Sequence, residues 1–367
     1  MLALFVALSS AILAPNGSLA TTPTGYFGGN SAHRDNSSIA MLAKARIVMI
    51  EKWEGHCWKD CLNGGAGSPA CQASCDVESS IMDTLARVKA INPSVCAVFY
   101  LNTMLSFPFY ALNGVLQAAN ALTIDSVTKK PIVVRNDNGM EGIFILGFDT
   151  PQGQKLYIDA VRNLTETGIV DGFFGDKWNS GAQPAKNGSG WEICNHECGA
   201  VTAAQGRAWN EGKAKVLAEV NKILGDGPYY ANHGVFAGDP TTTVPSNFYG
   251  SSNARPNKPS ALKSGDPRKL VDRVALLLHG DNSSSNPPHK YVYVASCGDE
   301  LWRVDPNDPA SQTPAGHCVG DCHARFLLAV EENVFLGTNG FSPDYDRPLG
   351  DPKGPAVFNA GGGDGED

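Results

Sequence analysis

The chain contains 367 residues, which is enough for one large barrel or two ordinary domains with a sizeable buried core. Its formal net charge of −8 and its lack of Lys/Arg clusters argue against nucleic acid or an anionic membrane as a partner. Beyond the N-terminus, no segment is long and apolar enough to cross a bilayer.

Both ends of the chain have distinctive compositions. Residues 2–14 are apolar and have the length of a signal-peptide core, and small residues surround Ala20 at a suitable cleavage position. We therefore predict a signal peptide over 1–20, an N-terminal lead-in over 21–44 and a secreted protein that has no membrane partner after cleavage. Residues 358–367 read as a flexible acidic tail. Four sequons would permit N-glycosylation in a eukaryotic source; they lie at Asn36, Asn163, Asn187 and Asn282.

Eight of the ten cysteines form Cys-x-x-x-Cys pairs, which favours disulfides in an exported chain. The pairs are Cys57/Cys61, Cys71/Cys75, Cys194/Cys198 and Cys318/Cys322. We predict a disulfide-stapled insertion over 57–75; sequence does not fix its connectivity, and Cys57–Cys75 with Cys61–Cys71 is the simplest pairing. Metal binding is the alternative, because a histidine lies beside several pairs. Cys96 and Cys297 lie in apolar runs and are predicted to be buried thiols.

Short apolar runs alternate with helical patterns from residue 46 to about residue 338, which indicates a parallel sheet. The predicted strands are Arg46–Ile50, Val95–Leu101, Ile143–Phe148, Ile169–Gly175, Tyr229–Ala231, Ser246–Tyr249, Tyr291–Ser296 and Val334–Leu336. The predicted helices are Ser79–Ile91, Leu112–Leu122, Pro151–Thr167, Thr202–Leu224, Arg268–His279 and Ala324–Val330. Eight such units fit the α/β class and a (β/α)8 TIM barrel over residues 45–357. An open doubly wound sheet is the alternative, but it would need a Gly-rich turn after the first strand.

The segment that ends at Trp178 is the most informative one for function. Thr150 and Pro151 predict the start of a helix, and Gly168 predicts its end. The strand that follows is apolar on both faces and stops at Asp176, Lys177 and Trp178. In α/β barrels, catalytic residues lie at the C-terminal ends of the strands. Asp176 is therefore the leading catalytic candidate, and a purely loop-capping role is the alternative.

Carboxylates, amides and aromatic residues follow several other predicted strands. Sugars bind to such a ring by stacking on Trp and by polar hydrogen bonds, and glycosidic hydrolysis needs two carboxylates. The catalytic candidates are Asp176, Glu51, Glu300 and Asp149. The substrate-binding candidates are Trp53, Trp178, Lys177, Asn102, Asn232, His233 and Asp299. The structural alternatives are an ion pair of Glu51 with Lys52 or Lys177, a capping turn at Asp149, and a solvated loop at 299–300. Asp171, within the fourth predicted strand, is predicted to be a structural hydrogen-bonding group inside the barrel. No Gly-x-Ser-x-Gly, P-loop or His-Glu-x-x-His pattern occurs, and we expect neither a cofactor nor a metal.

Several segments together resemble a known family. They are KARIVMIEKWEGHCW, VFYLNTMLSFPFY, NDNGMEGIFILGFDTPQG, TGIVDGFFGDKW and FLLAVEENVFLGTNGFSPDYDRPLGDPKGPA. These segments are similar to glycoside hydrolase-like (β/α)8-barrel proteins, a family of secreted algal and bacterial proteins. The resemblance covers about residues 45–357 and implies a TIM barrel with a catalytic carboxylate at the end of the fourth strand. Related barrels often carry an acid on the sixth strand, whereas residues 246–250 contain none, so the second catalyst stays open.

The function predicted from sequence is thus a secreted glycoside hydrolase that acts on a polysaccharide or oligosaccharide. Asp176 would be the nucleophile or base, and Glu51 or Glu300 the acid. A catalytically inactive carbohydrate-binding barrel is the first alternative. A metal-dependent hydrolase that uses the His/Cys clusters is a weaker one.

Overall fold

Eight parallel strands form a closed barrel in the computed structural model of the chain. The structure describes residues 24–29, 34–52, 54–55, 77–134, 142–177, 181–186, 188, 190–195, 197–225, 229–231, 248–250, 291–295 and 334–338. With strands numbered in chain order, the barrel contains β1 (Thr24–Gly28), β2 (Ile47–Ile50), β3 (Cys96–Asn102), β7 (Gly172–Asp176), β11 (Tyr229–Ala231), β12 (Phe248–Gly250), β13 (Tyr291–Ala295) and β14 (Val334–Thr338). Their order around the barrel is β1-β14-β13-β12-β11-β7-β3-β2. The ring closes because β1 pairs with both β2 and β14.

Five α-helices lie in the described part of the chain. They are α1 (Asn36–Leu42), α2 (Val77–Ile91), α3 (Ala111–Ala118), α4 (Pro151–Glu166) and α5 (Ala203–Leu224). Helix α2 buries Val77, Ile81, Leu85 and Val88, which recur at helical spacing and pack beside β2 and β3. The connections between β11 and β14 lie outside the described residues, including the predicted helices at 268–279 and 324–330.

The helix that precedes β7 has the ends predicted from sequence. The Thr150 hydroxyl accepts a hydrogen bond from the Gly153 amide at 3.1 Å, and Pro151 opens the helix. Gly168 has a φ of +70°, the left-handed conformation that glycine adopts most readily. These two ends fix where the chain turns into β7 and therefore where Asp176 lies.

The predicted barrel strand over Ile143–Phe148 is wrong. Ile143–Ile145 forms β6, which pairs antiparallel with β4 (Leu105–Ser106) and β5 (Val133–Val134) in a separate three-stranded sheet. Antiparallel strands need no crossover helix, so the chain passes from β3 directly into this sheet. The helix α4 is then the crossover from β3 to its parallel neighbour β7. A second antiparallel sheet contains β8 (Ala182–Pro184), β9 (Trp191–Asn195) and β10 (Glu197–Val201).

The predicted lead-in over 21–44 is wrong, because this segment contains elements of the barrel itself. Thr24–Gly28 is the first barrel strand and Asn36–Leu42 the first helix, so the barrel begins before residue 45. Only two residues of β1, Tyr26 and Phe27, are large and apolar, which leaves little strand signal in the sequence. Because one strand was missed and another wrongly included, Asp176 still ends the fourth barrel strand.

Candidate active site

Asp176 is the last residue of β7 and lies at the C-terminal end of the barrel. It is level with Asn102, the last residue of β3, in the parallel pairing of the two strands. The side chain is almost completely buried, with 8% exposure. A buried carboxylate needs hydrogen-bond donors to offset the loss of water, so its surroundings decide what it can do.

Two side chains of β3 hold one oxygen of Asp176. The Tyr100 hydroxyl donates to Oδ2 at 2.6 Å, and the Asn102 amide donates to the same oxygen at 3.2 Å. Tyr100 and Asn102 are two residues apart on a strand, so both side chains lie on the same face. The Asn102 amide also donates to the Tyr100 hydroxyl at 3.1 Å, which links the three groups in one network.

The backbone around Asn102 fixes this network in place. The Asn102 Oδ1 atom accepts hydrogen bonds from the amides of Met104 and Leu105 at 2.9 and 2.7 Å. The amide and hydroxyl of Thr103 both donate to the Asp176 carbonyl, each at 2.8 Å. The ends of β3 and β7 are therefore tied together, and Asn102 acts as a positioning group for Asp176.

Tyr100 keeps its proton at neutral pH. Burial raises the pKa of the Tyr100 phenol well above its usual value, and the charges of Asp176 and Glu51 raise it further. The ring is stacked on Phe174 with a centroid distance of 5.5 Å. Tyr100 is therefore a rigid hydrogen-bond donor to the carboxylate.

Glu51 and Asp176 lie at the ends of the two strands that flank β3, the strand of Tyr100. It directly follows β2, the neighbour of β3, and its carboxylate pairs with the Lys52 ammonium at 2.7 Å. The Lys52 Nζ atom also lies 4.5 Å from the centroid of the Tyr100 ring. Contacts thus run from Glu51 through Lys52 and Tyr100 to Asp176. The ion pair with Lys52 is the one considered from sequence.

The residue after Asp176 has an unusual backbone. Lys177 has a φ of +61°, which for a non-glycine residue stores strain of about 1–3 kcal/mol. Its amide donates to Asp176 Oδ1 at 2.9 Å, and its carbonyl accepts a hydrogen bond from the Lys213 ammonium at 2.7 Å. Lys213 lies on α5, is 1% exposed, and has its Nζ atom 5.5 Å from the centroid of the Trp209 ring.

A buried ion pair braces the barrel beside β1 and β2. Arg34 donates to both oxygens of Glu54, at 2.7 and 3.0 Å, and to the Tyr26 hydroxyl at 2.9 Å. The Thr84 hydroxyl donates to Glu54 at 2.7 Å. Glu54 also follows the end of β2, and these contacts give it a structural role.

Asp149 does not lie at the end of a barrel strand, contrary to the sequence-based placement. It follows β6 of the small antiparallel sheet. Its carboxylate accepts hydrogen bonds from Thr123 Oγ1 at 3.1 Å and from Gln205 Nε2 at 2.9 Å. These contacts join a loop to α5 and give no support to pairing Asp149 with Asp176.

Asp171 accepts hydrogen bonds from the Ala97 amide at 2.8 Å and from Lys89 at 2.7 Å, so it has the predicted structural role. Its predicted position inside the barrel is wrong, because Asp171 directly precedes β7 and pairs with Lys89 on α2, and its side chain is 36% exposed. The remaining site candidates lie outside the described residues; they are Trp53, Trp178, Asn232, His233, Asp299 and Glu300. The insertion 57–75 and the tail 358–367 lie outside them as well.

The cysteines that the structure describes follow the prediction. Cys194 and Cys198 form a disulfide across the β9–β10 hairpin, and Cys96 is a buried free thiol. Glu192 and the two sulfurs lie within 4.8 Å of one another. Because the disulfide occupies both sulfurs, they do not offer thiolate ligands to a metal. None of the described helices has both the length and the apolar character of a membrane span.

Sequence reasoning missed two residues of the site, although both left a signal. Tyr100 could be found from alternation, since it shares a strand face with Asn102. Lys213 lies between Trp209 and Val216 on the buried face of α5, at spacings of four and three residues. A lysine at a core position indicates a buried charge with a specific partner.

The solved structures that this chain resembles include several glycoside hydrolases. An alpha-galactosidase from Thermus thermophilus shares 12% identity at a TM-score of 0.45, with 89% of this chain and 60% of that chain covered. A dextranase from Flavobacterium johnsoniae shares 12% identity at a TM-score of 0.48, with 88% and 37% covered. The glycoside hydrolase domain of PelA from Pseudomonas aeruginosa shares 11% identity at a TM-score of 0.42, with 89% and 96% covered.

The chain thus spans about 60% of the length of that alpha-galactosidase. No protein-family model and no curated protein matches the sequence.

Proposed function

We propose that this protein is a secreted glycoside hydrolase that cleaves a polysaccharide or oligosaccharide, with Asp176 as nucleophile or base. The observation that carries the proposal is the buried Asp176 carboxylate at the C-terminal end of a barrel strand, held by Tyr100 and Asn102. Barrel enzymes place reacting groups at this end. Three donors on one carboxylate fix its orientation, as displacement at an anomeric carbon requires.

We further propose Glu51 as the acid, a role in which its carboxyl group takes up a proton and releases the ion pair with Lys52. Its strand and that of Asp176 flank β3, so one carboxylate lies on each side of Tyr100. Neighbouring strands lie about 4.8 Å apart, so β2 and β7 are separated by about 10 Å at most, a distance of the same order as the carboxylate separations of glycoside hydrolases. Glu300 remains the other proposed acid.

Substrate binding is assigned by the same reasoning. Trp53 and Trp178 each follow a strand-end carboxylate by two residues and are proposed as stacking platforms for pyranose rings. Lys177, Asn232, His233 and Asp299 are proposed as polar contacts to the sugar. The Cys194–Cys198 disulfide supports an oxidising, extracellular location.

The test is hydrolysis of a panel of polysaccharides and oligosaccharides by the full chain, measured as the release of reducing ends. We expect cleavage of at least one glycan and a loss of several orders of magnitude in Asp176→Asn. Asp171→Asn is the matched control, because Asp171 is a structural carboxylate on the same segment. Glu51→Gln should lose activity strongly if Glu51 is the acid.

Two outcomes would count against the proposal. Saturable glycan binding without any cleavage would favour the inactive carbohydrate-binding barrel. Equal activity of Asp176→Asn and wild type would remove Asp176 from the chemistry. Proton NMR of the first product gives the stereochemistry, which reports whether the carboxylates are about 5–5.5 Å or about 6.5–9.5 Å apart.

A further inference from the structure

Lys213 has a place in the fold that packing alone does not explain. It projects from the buried face of α5, between Trp209 and Val216, and is 1% exposed. An ammonium group in such a position loses its water and must be compensated by protein groups. A methionine or leucine would fill the same space without that cost.

One hydrogen bond of this ammonium group reaches the residue after Asp176. Lys213 Nζ donates to the Lys177 carbonyl at 2.7 Å, and the Lys177 amide donates to Asp176 Oδ1 at 2.9 Å. Lys177 is therefore held at both its carbonyl and its amide, in a left-handed conformation with a φ of +61°. A β-carbon disfavours that conformation, so the hydrogen bond from Lys213 helps to keep Lys177 in it.

We propose that Lys213 is a positioning residue, which fixes the Lys177 backbone so that its amide orients the Asp176 carboxylate. Tyr100 and Asn102 on β3 donate hydrogen bonds to Oδ2 of Asp176. The Lys177 amide, on a residue that Lys213 also bonds, donates to Oδ1. The inference deepens the proposed function and rests on it for its catalytic meaning. The two hydrogen bonds of Lys177 from which it is argued are present without a substrate.

Electrostatics agree with this arrangement. Burial lowers the pKa of Lys213 well below its usual value, while the negative charge of Asp176 acts in the opposite direction and raises it. Asp176 on β7 is thus a negative charge that acts on Lys213. Tyr100 on β3 bonds the same carboxylate, and Trp209 on α5 offers its ring face. Coupling between two sites is reciprocal, so Lys213 in turn stabilises the ionised Asp176.

The first test measures amide hydrogen exchange at Lys177 by NMR in the full chain. We expect exchange about tenfold faster or more in Lys213→Met, because the hydrogen bond of its amide to a carboxylate is weakened. Lys215→Met is the matched control, since Lys215 lies on the exposed face of the same helix. Unchanged exchange at Lys177 in a folded Lys213→Met variant would overturn the proposal.

The second test leaves Lys213 in place and follows its titration by NMR. The charge of Asp176 raises the pKa of Lys213, so Asp176→Asn should move the midpoint to lower pH, and Asp171→Asn should leave it unchanged. An equal midpoint in wild type and Asp176→Asn would overturn the proposal. This arm also decides the matter if Lys213→Met does not fold. Neither readout needs a substrate, so failure of the positioning role and failure of the glycosidase assignment are distinguishable.

Discussion

Replacing Tyr100 with phenylalanine isolates the hydrogen bond that holds Asp176. The ring contacts remain, including the stack on Phe174 and the cation–π contact with Lys52, because only the hydroxyl is removed. The lost hydroxyl donates to a carboxylate at 2.6 Å and accepts from Asn102 at 3.1 Å. A hydrogen bond to a charged group contributes about 1.5–3 kcal/mol, and a neutral one about 1 kcal/mol. We therefore expect Tyr100→Phe to lower the free energy of unfolding by about 2.5–4 kcal/mol.

Urea denaturation at neutral pH measures this loss, and Tyr110→Phe is the matched control. Tyr110 is also buried, but its hydroxyl donates to the neutral carbonyl of Tyr100 at 3.2 Å, so its removal should cost about 1 kcal/mol. In an Asp176→Asn background, the cost of Tyr100→Phe should fall towards the same value, because the charge is gone. Equal costs for the two tyrosines in the wild-type background would refute the proposed charge-assisted hydrogen bond.

The same variant has a defined pH dependence. The pKa of Tyr100 is raised in the folded chain, so the unfolded chain ionises first, above about pH 10. The stabilising contribution of the protonated phenol is present below that pH and is lost as pH rises further. Tyr100→Phe should therefore lose less stability than wild type between neutral pH and about pH 11. An equal loss would contradict the direction of the shift.

Three further predictions address the ion pair, the cysteines and the aromatic platforms. Arg34→Met should lower the free energy of unfolding by about 3–5 kcal/mol, because it removes the cation that bonds both oxygens of the buried Glu54 carboxylate; a loss below 1 kcal/mol in urea denaturation would contradict this. Mass spectrometry of the non-reduced protein should show every cysteine of the 57–75 insertion oxidised, whereas free thiols or stoichiometric zinc would favour the metal alternative. Trp53→Ala and Trp178→Ala should weaken oligosaccharide binding with little change in melting temperature; a fall of about 3–5 kcal/mol in stability with unchanged affinity would show that both rings are core.

Local chemistry made the segment around Asp176 predictable. The cap at Thr150, the proline at 151 and the glycine at 168 define α4 without any tertiary information, and the short apolar run that follows a helix and a glycine is typical of a buried strand. The register of β7 against β3 then places Asp176 beside Asn102. Because side chains alternate along β3, Tyr100 follows from Asn102 once the face is known.

Other parts depended on pairings that local sequence does not encode. The apolar run at Ile143–Ile145 reads as a buried strand whether its neighbour is parallel or antiparallel, and only the absence of a crossover helix separates the two cases. The strand Thr24–Gly28 carries two glycines and little apolar area, so it is held by its neighbours on both sides more than by its own propensity. The Lys213–Lys177 contact joins positions 36 residues apart, and sequence alone shows only that a lysine occupies a core position.

Chemical rescue of the Asp176→Ala variant is the measurement that tests the central claim most directly. Removing the carboxylate should abolish most glycan cleavage, and added azide should restore it in a concentration-dependent manner, because a small anion can occupy the vacated position and react in its place. The control, Asp171→Ala, should show no rescue by azide. If Asp176→Ala cleaves the glycan as fast as wild type, or if azide affects both variants equally, Asp176 is not the reacting carboxylate.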